Sequence, residues 1–193
     1  NTLNYLDIRT VIVSCGTCID QLLTYQFENI FPGCRLMDIH EFLMEKNMKM
    51  PEGNNTKYLY HDPCHSPMKH YAPVKVASEL TGTNVELSDR CCGEAGTFAV
   101  SRPDIATQVR FRKQQELHKG IEVLTGKQSV EQNEVKLLTS CPACQQGLSR
   151  YKLDTGLNTE YIVVELANQL LGDNWQNEFI VKAQDQGIER ILL

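Results

Sequence analysis

Eight cysteines stand in 193 residues, and six of them form three close pairs. Cys15-Gly-Thr-Cys18 and Cys141-Pro-Ala-Cys144 each follow a short apolar run and precede a helical pattern. At such a junction the thiols meet free backbone N–H groups and the positive end of the helix dipole, which favours thiolate, the form that binds metal or attacks disulfides. Taken alone, a pair of this kind also occurs as two cysteines that merely pack. Cys91-Cys92-Gly93-x-x-Gly96 is more informative. Adjacent cysteines join to each other only through an eight-membered ring that strains the peptide between them. They can instead ligate different irons of one cluster, with Gly93 and Gly96 bringing backbone N–H donors close to its sulfides. Cys64 raises the set to five: Cys64, Cys91, Cys92, Cys141 and Cys144. Five thiolates exceed what a tetrahedral zinc ion takes, whereas an iron–sulfur cluster offers several metal atoms. Two alternatives stay open: a zinc-binding structural module on four of the five, and a thiol oxidoreductase using Cys141 and Cys144. The latter leaves the Cys91-Cys92 element without a role.

These residues need elements to gather them. Arg9–Ser14 reads as a buried strand, 19–30 as a helix, and Arg35–His40 as a second strand or extended segment. Pro51, Gly53 and paired Asn mark 47–56 as a linker, which divides the chain into 1–50 and 51–193. Beyond it, strands are expected at 58–62, 84–88, 135–139 and 161–165. Helices are expected at 74–80, at 103–119 with a capping box at Ser101–Asp104 and a stop at Gly120, after Cys141, at 166–171 and at 175–183; 188–193 reads as extended. Strands alternating with helices predict an α/β fold with mostly parallel sheets. In such a sheet the strand ends carrying Cys64, Cys91-Cys92 and Cys141-x-x-Cys144 converge on one edge, where ligands bind.

The pattern also repeats. Ser14, Cys15, Cys18, Leu22 and Tyr25 recur 126 positions later as Ser140, Cys141, Cys144, Leu148 and Tyr151. Two similar α/β units related by internal duplication are expected, the first truncated at its N-terminus, because only 14 residues precede its Cys-x-x-Cys. Cys15 and Cys18 are then a second, incomplete metal site.

A net charge of −5 offers no basic surface for nucleic acid or anionic lipid. No run approaches the roughly 20 apolar residues of a membrane span, and no export signal opens the chain, so a cytoplasmic protein is expected, at most peripheral to the inner face of a membrane. Among the remaining candidates, Cys34 lacks partner spacing and reads as a structural or incidental thiol, with a zinc site shared with Cys15 and Cys18 as the alternative. His61 and His65 flank Cys64 as hydrogen-bond donors to a cluster or as structural histidines. Arg90 reads as an offset to cluster charge or an exposed cation, and His40, His70 and His118 as surface residues. Arg110, Arg112 and Lys113 read as a solvated helix face, and Trp175 as a core anchor.

Cys64, Cys91-Cys92-Gly93-x-x-Gly96 and Cys141-x-x-Cys144 together resemble one complete CCG (cysteine-rich) domain, the module found duplicated in heterodisulfide reductases and shared by the iron–sulfur subunits of glycolate and lactate oxidases. His61-Asp-Pro-Cys64-His65 and Cys92-Gly-Glu-Ala-Gly-Thr97 are similar to the FAD-linked 2-hydroxy-acid dehydrogenase members. The resemblance implies that the five cysteines hold a four-iron (4Fe-4S) cluster, non-cubane in the heterodisulfide reductase relatives. It further implies a FAD-bearing domain or subunit as partner, a lactate- or glycolate-type substrate there, and a quinone or other carrier as electron acceptor. Disulfide cleavage at the cluster is the alternative that the heterodisulfide reductase relatives imply.

Overall fold

The computed structural model describes residues 6–51, 53, 55–94, 96–131 and 133–186. Two parallel sheets organise them. In the first, β1 (Thr10–Val13) lies beside β2 (Arg35–Asp38), with Thr10 opposite Arg35 and Val13 opposite Asp38. The second holds β3 (Lys57–His61), β4 (Glu86–Leu87), β5 (Val135–Thr139) and β6 (Asn158–Tyr161) in the order β4-β3-β5-β6, all parallel. Parallel neighbours require long crossovers, and helices supply them. These are α4 (Pro73–Thr81) between β3 and β4, α5 (Phe98–Ser101) and α6 (Pro103–Thr125) between β4 and β5, and α7 (Pro142–Leu148) and α8 (Lys152–Thr155) between β5 and β6. The fold class expected from alternation is therefore the one observed.

Alternation along the strands divides the core into two layers. Tyr58, Tyr60 and Leu138 face a cluster with Val76, Leu80, Ile162 and Leu166, while Leu59, Val135 and Leu137 face Leu117, Ile121, Leu148 and Leu157. Each such fully buried side chain is worth roughly 1.5–3 kcal/mol of apolar burial. Cys92 and Cys144 belong to the second layer, so the thiol site grows directly out of the hydrophobic core. In the first unit, Cys34 packs with Phe27 and Leu36, the structural role expected of it.

Several boundaries differ from the sequence expectation, each for a physical reason. The helix expected over 19–30 is two: α1 (Gly16–Thr24) starts earlier on Cys15 as its N-cap, and α2 (Phe27–Ile30) follows a break at Gln26, whose φ of 54° is left-handed. The strand expected to reach His40 stops at Asp38. Its carboxylate accepts from the backbone N–H of His40 at 2.8 Å and of Glu41 at 3.3 Å, and so starts α3 (Ile39–Glu45). The strand expected at 161–165 is displaced: β6 ends at Tyr161, and Ile162-Val-Val-Glu165 is the first turn of α9 (Ile162–Leu171). β-Branched residues there follow tertiary burial against α3 and α4 rather than strand propensity. The expected capping box is absent, since Ser101 closes α5 and Arg102 caps α6 without a side-chain bond.

Gly120 does not stop α6, which runs on to Thr125 and ends at left-handed Gly126. A Cβ at Gly120 would sit 2.8 Å from Leu59 Cδ2, so this glycine lets the helix lie close on the sheet. α10 (Trp175–Gln186) matches its expected position, with Trp175 partly buried and its indole N–H donating to Asn168 Oδ1 at 2.8 Å. The expectation at 188–193 lies outside the described residues. No helix among the described residues is long and apolar enough to cross a membrane.

Candidate metal centre

All strands of the second sheet point the same way, so three strand ends deliver their cysteines to one edge. Past His61 of β3 come Asp62, Pro63 and Cys64; past β4 come Cys91 and Cys92; past Thr139 of β5 come Ser140 and Cys141. Two of these ends are strapped together, because the Tyr60 hydroxyl donates to Asp62 Oδ1 at 3.1 Å and lies 3.1 Å from Ser140 Oγ.

The result is a cavity of about 280 Å³ lined by Cys64, Cys91, Cys92, Cys141 and Cys144 together. That is several times the roughly 30 Å³ share of a water molecule. The five thiols expected to converge do so, and none of the eight cysteines is in a disulfide. Cys92 and Cys144 are buried, Cys141 is partly exposed, and Cys64 and Cys91 are exposed, so the cavity is apolar at its floor and open at its rim.

The floor thiols touch. Cys92 Sγ lies 3.3 Å from Cys144 Sγ, far outside the 2.05 Å of a disulfide and within the spacing of two ligands on one metal. Close contact with Cys144 and Cys91 pushes the Cys92 thiol strongly down, and the Glu94 backbone N–H adds to this. Cys144 likewise lowers Cys141 to about 6, helped by the backbone N–H groups of Cys144 and Ala143 at the start of α7. Cys91 and Cys144 are pushed up by their contacts with these neighbours and by burial. Raised and lowered thiols therefore alternate along the row Cys91, Cys92, Cys144, Cys141, and binding a metal there would release their remaining protons.

The loop between β4 and α5 is held by charge as well as by conformation. Gly93 takes a φ of 71°, its N–H lies 3.3 Å from Cys91 Sγ, and a Cβ on it would meet Arg110 Cγ at 3.2 Å. Gly96 is left-handed too and lies on the cavity wall. Arg90, exposed and with a φ of 72°, turns the chain into the paired cysteines. Glu94 is clamped by Arg150 and, at 3.5 Å, by Arg110.

Below the loop, Lys113 overturns the expectation of a solvated face. It is fully buried, and its Nζ donates to Ser88 O at 2.8 Å, Ser88 Oγ at 2.9 Å and Asp89 O at 2.6 Å. Burial lowers its pKa to about 8, which leaves a cation at neutral pH beneath the thiols. Its place on the buried stripe of α6, four residues before Leu117 and eight before Ile121, was the available signal. Arg112 is exposed, as expected.

The first unit joins the same cavity through Cys15, Gly16 and Thr17. Cys15 and Cys141 share one N-cap conformation, with φ/ψ of −138°/120° and −134°/120°. Cys18 is exposed and is not on the cavity wall. The contact between units is polar and specific. The Tyr161 hydroxyl donates to Ser14 O at 2.8 Å, Asp20 bonds both His65 at 2.7 Å and Lys69 at 2.8 Å, and buried Glu41 accepts from the N–H of His70 and Tyr71. His40, expected on the surface, is buried against Asp38 and packs edge-on to Tyr161.

A Cβ on Gly16 would overlap the His65 carbonyl. Gly16→Ala is therefore expected to cost about 1–3 kcal/mol as an overpacked backbone contact, read as a lower denaturant midpoint. An unchanged midpoint would show that this contact between units is not tight.

Fold and site define an α/β protein with a pocket lined by free cysteines at the carboxyl edge of a parallel sheet. Residues 58–149 match the model of the CCG family, the cysteine-rich domain. Residues 149–193 match a second model, described as a domain of unknown function (DUF3400). Similar proteins include an uncharacterized iron–sulfur protein of Methanococcus maripaludis, 24% identical over 177 residues covering 86% of this chain and 33% of that protein. The glycolate oxidase iron–sulfur subunit of Escherichia coli K12 is 36% identical over 90 residues, 44% of this chain and 22% of the relative. One subunit of the dihydromethanophenazine:CoB–CoM heterodisulfide reductase of Methanosarcina barkeri is 28% identical over 144 residues, 68% and 32% of the two chains. The chain thus spans a third or less of the length of these relatives. No solved structure matches it.

Proposed function

We propose that Cys64, Cys91, Cys92, Cys141 and Cys144 hold an iron–sulfur cluster, and that the chain is the electron-transfer module of a FAD-linked 2-hydroxy-acid dehydrogenase of the lactate or glycolate type. The observation that carries this reading is five unpaired thiols from three strand ends on one cavity wall. Soft thiolates select iron–sulfur or zinc over hard cations, and five of them suit several metal atoms better than one. The similarity to a glycolate oxidase iron–sulfur subunit supports the dehydrogenase context. When bound, the cluster supplies one-electron redox chemistry. The chain's own residues hold it, set its charge environment through Lys113, and keep water from its floor. The exposed rim at Cys64 and Cys91 is the side from which a flavin domain or subunit delivers electrons, on their way to a quinone or other carrier. We further infer that 1–50 and the cysteine-rich segment after the linker are two related units, with Cys15 and Cys18 belonging to a second metal site in the first.

A second reading, disulfide cleavage at the cluster, is favoured by the open rim and by the heterodisulfide reductase relative. In it, two electrons and two protons convert a disulfide to two thiols. The anaerobically reconstituted chain, reduced with dithionite-free FMN hydroquinone, separates the two. Reoxidation by a water-soluble quinone, with the CoB–CoM heterodisulfide inert, is the expected result. Release of two thiols per heterodisulfide would move the assignment to the second reading, and failure of FMN hydroquinone to reduce the centre would overturn the relay.

A further inference from the structure

Among the described residues, His61 is a buried side chain near the cavity floor that no hydrogen bond within the protein satisfies. His61, the last residue of β3, is 1% exposed, and neither of its ring nitrogens has a hydrogen-bond partner. A ring nitrogen of His61, Cys92 Sγ and Cys144 Sγ all lie within 4.8 Å of one another. A buried imidazole that leaves both nitrogens unpaired is a liability unless the site it faces supplies the partner. Two neighbouring polar groups are already engaged: the Tyr60 hydroxyl with Asp62 and Ser140, and Lys113 with Ser88 and Asp89. The Thr139 hydroxyl on the paired strand is unpartnered as well, but the groups placed within 4.8 Å of a His61 ring nitrogen are the sulfurs of Cys92 and Cys144.

We propose that His61 is a positioning residue of the metal centre, its ring N–H donating to the sulfur of Cys92 when that sulfur carries metal. This rests on the cluster assignment made above. The geometry gives the bond two consequences. It fixes the rotamer of the Cys92 side chain, and it withdraws electron density from a ligating thiolate at the dry end of the cavity, where hydrogen bonds are strongest. Hydrogen bonds to ligating sulfur make a cluster easier to reduce. At the exposed rim, water would offer the same donor to Cys64 or Cys91; on the floor only a protein group can. His61 therefore sets the redox poise of the centre from beneath while electrons arrive from above.

The test compares wild type, His61→Phe, which keeps a ring without N–H, and His61→Gln, which keeps a donor. In reconstituted protein of equal iron and sulfide content, His61→Phe is expected to shift the reduced-to-oxidised ratio at fixed potential about tenfold toward oxidised, a fall of about 59 mV for one electron, and His61→Gln to restore part of it. An unchanged potential in His61→Phe overturns the proposal. Should His61→Phe fail to fold or load, wild type labelled with ¹⁵N-histidine decides by pulsed electron paramagnetic resonance. A weak histidine coupling supports an N–H···S bond, whereas none, or the strong coupling of a directly bound nitrogen, overturns it. If wild type assembles no cluster, the cluster assignment fails separately, and cobalt(II) bound to the thiols carries the test. A paramagnetically shifted, exchangeable imidazole proton absent from His61→Phe supports the bond. Its absence from wild type, or altered cobalt d–d bands in His61→Phe, contradicts it.

Discussion

Replacing Cys92 with serine is expected to strip the chain of its metal. Loss of a group that merely hydrogen-bonds a metal ligand lowers affinity by about 10–100-fold, and Cys92 is a central thiol. It is 4% exposed, and its Sγ lies 3.3 Å from that of Cys144. Serine would put a hard, protonated oxygen where a soft thiolate stood. Iron retained after anaerobic reconstitution and desalting should fall by at least that factor, while Cys34→Ser, altered in the small core of the first unit, should leave it unchanged. Full iron in Cys92→Ser would remove Cys92 from the ligand set and leave the adjacent pair without its assigned chemistry.

The second large effect lies one layer below. Lys113→Met keeps the length and apolar stem of a fully buried side chain but removes three hydrogen bonds to Ser88 and Asp89. Two backbone carbonyls and a hydroxyl lose their donor, at about 1–3 kcal/mol for each group left unsatisfied, partly offset because a costly buried charge disappears. A net loss of roughly 1–3 kcal/mol is expected in the metal-free protein, read from the denaturant midpoint. Arg112→Met, exposed on the same helix, should stay within about 0.5 kcal/mol of wild type. Lys113→Met should also weaken metal retention, because Ser88 and Asp89 lead directly into Cys91. Equal stability of the two variants would mean that Lys113 does not anchor the loop.

The site was more legible in the sequence than the boundaries around it. Paired cysteines, glycines between them and strands of one polarity are local signals, and a parallel sheet turns strand ends into a shared edge whatever the details of each helix. Partnerships made across the fold were hidden. Nothing in the local pattern of Ile162-Val-Val-Glu165 says helix; burial against α3 and α4 decides it. Gly120 looks like a stop until Leu59 is seen beneath it. Lys113 reads as solvated because its acceptors are backbone carbonyls 24 and 25 residues away. α3 had a readable signal, Asp38 followed three residues later by Glu41, at capping-box spacing. Cys15 reached the five-thiol cavity although its own unit has two strands among the described residues, because Tyr161, Asp20 and Glu41 tie the units together.

Iron and acid-labile sulfide, assayed in the chain purified and reconstituted without oxygen, bear most directly on the five-thiol centre. Near-equal iron and sulfide, about four of each per chain, with an electron paramagnetic resonance signal that Cys92→Ser abolishes, is the expected result. One zinc per chain with no sulfide would contradict it.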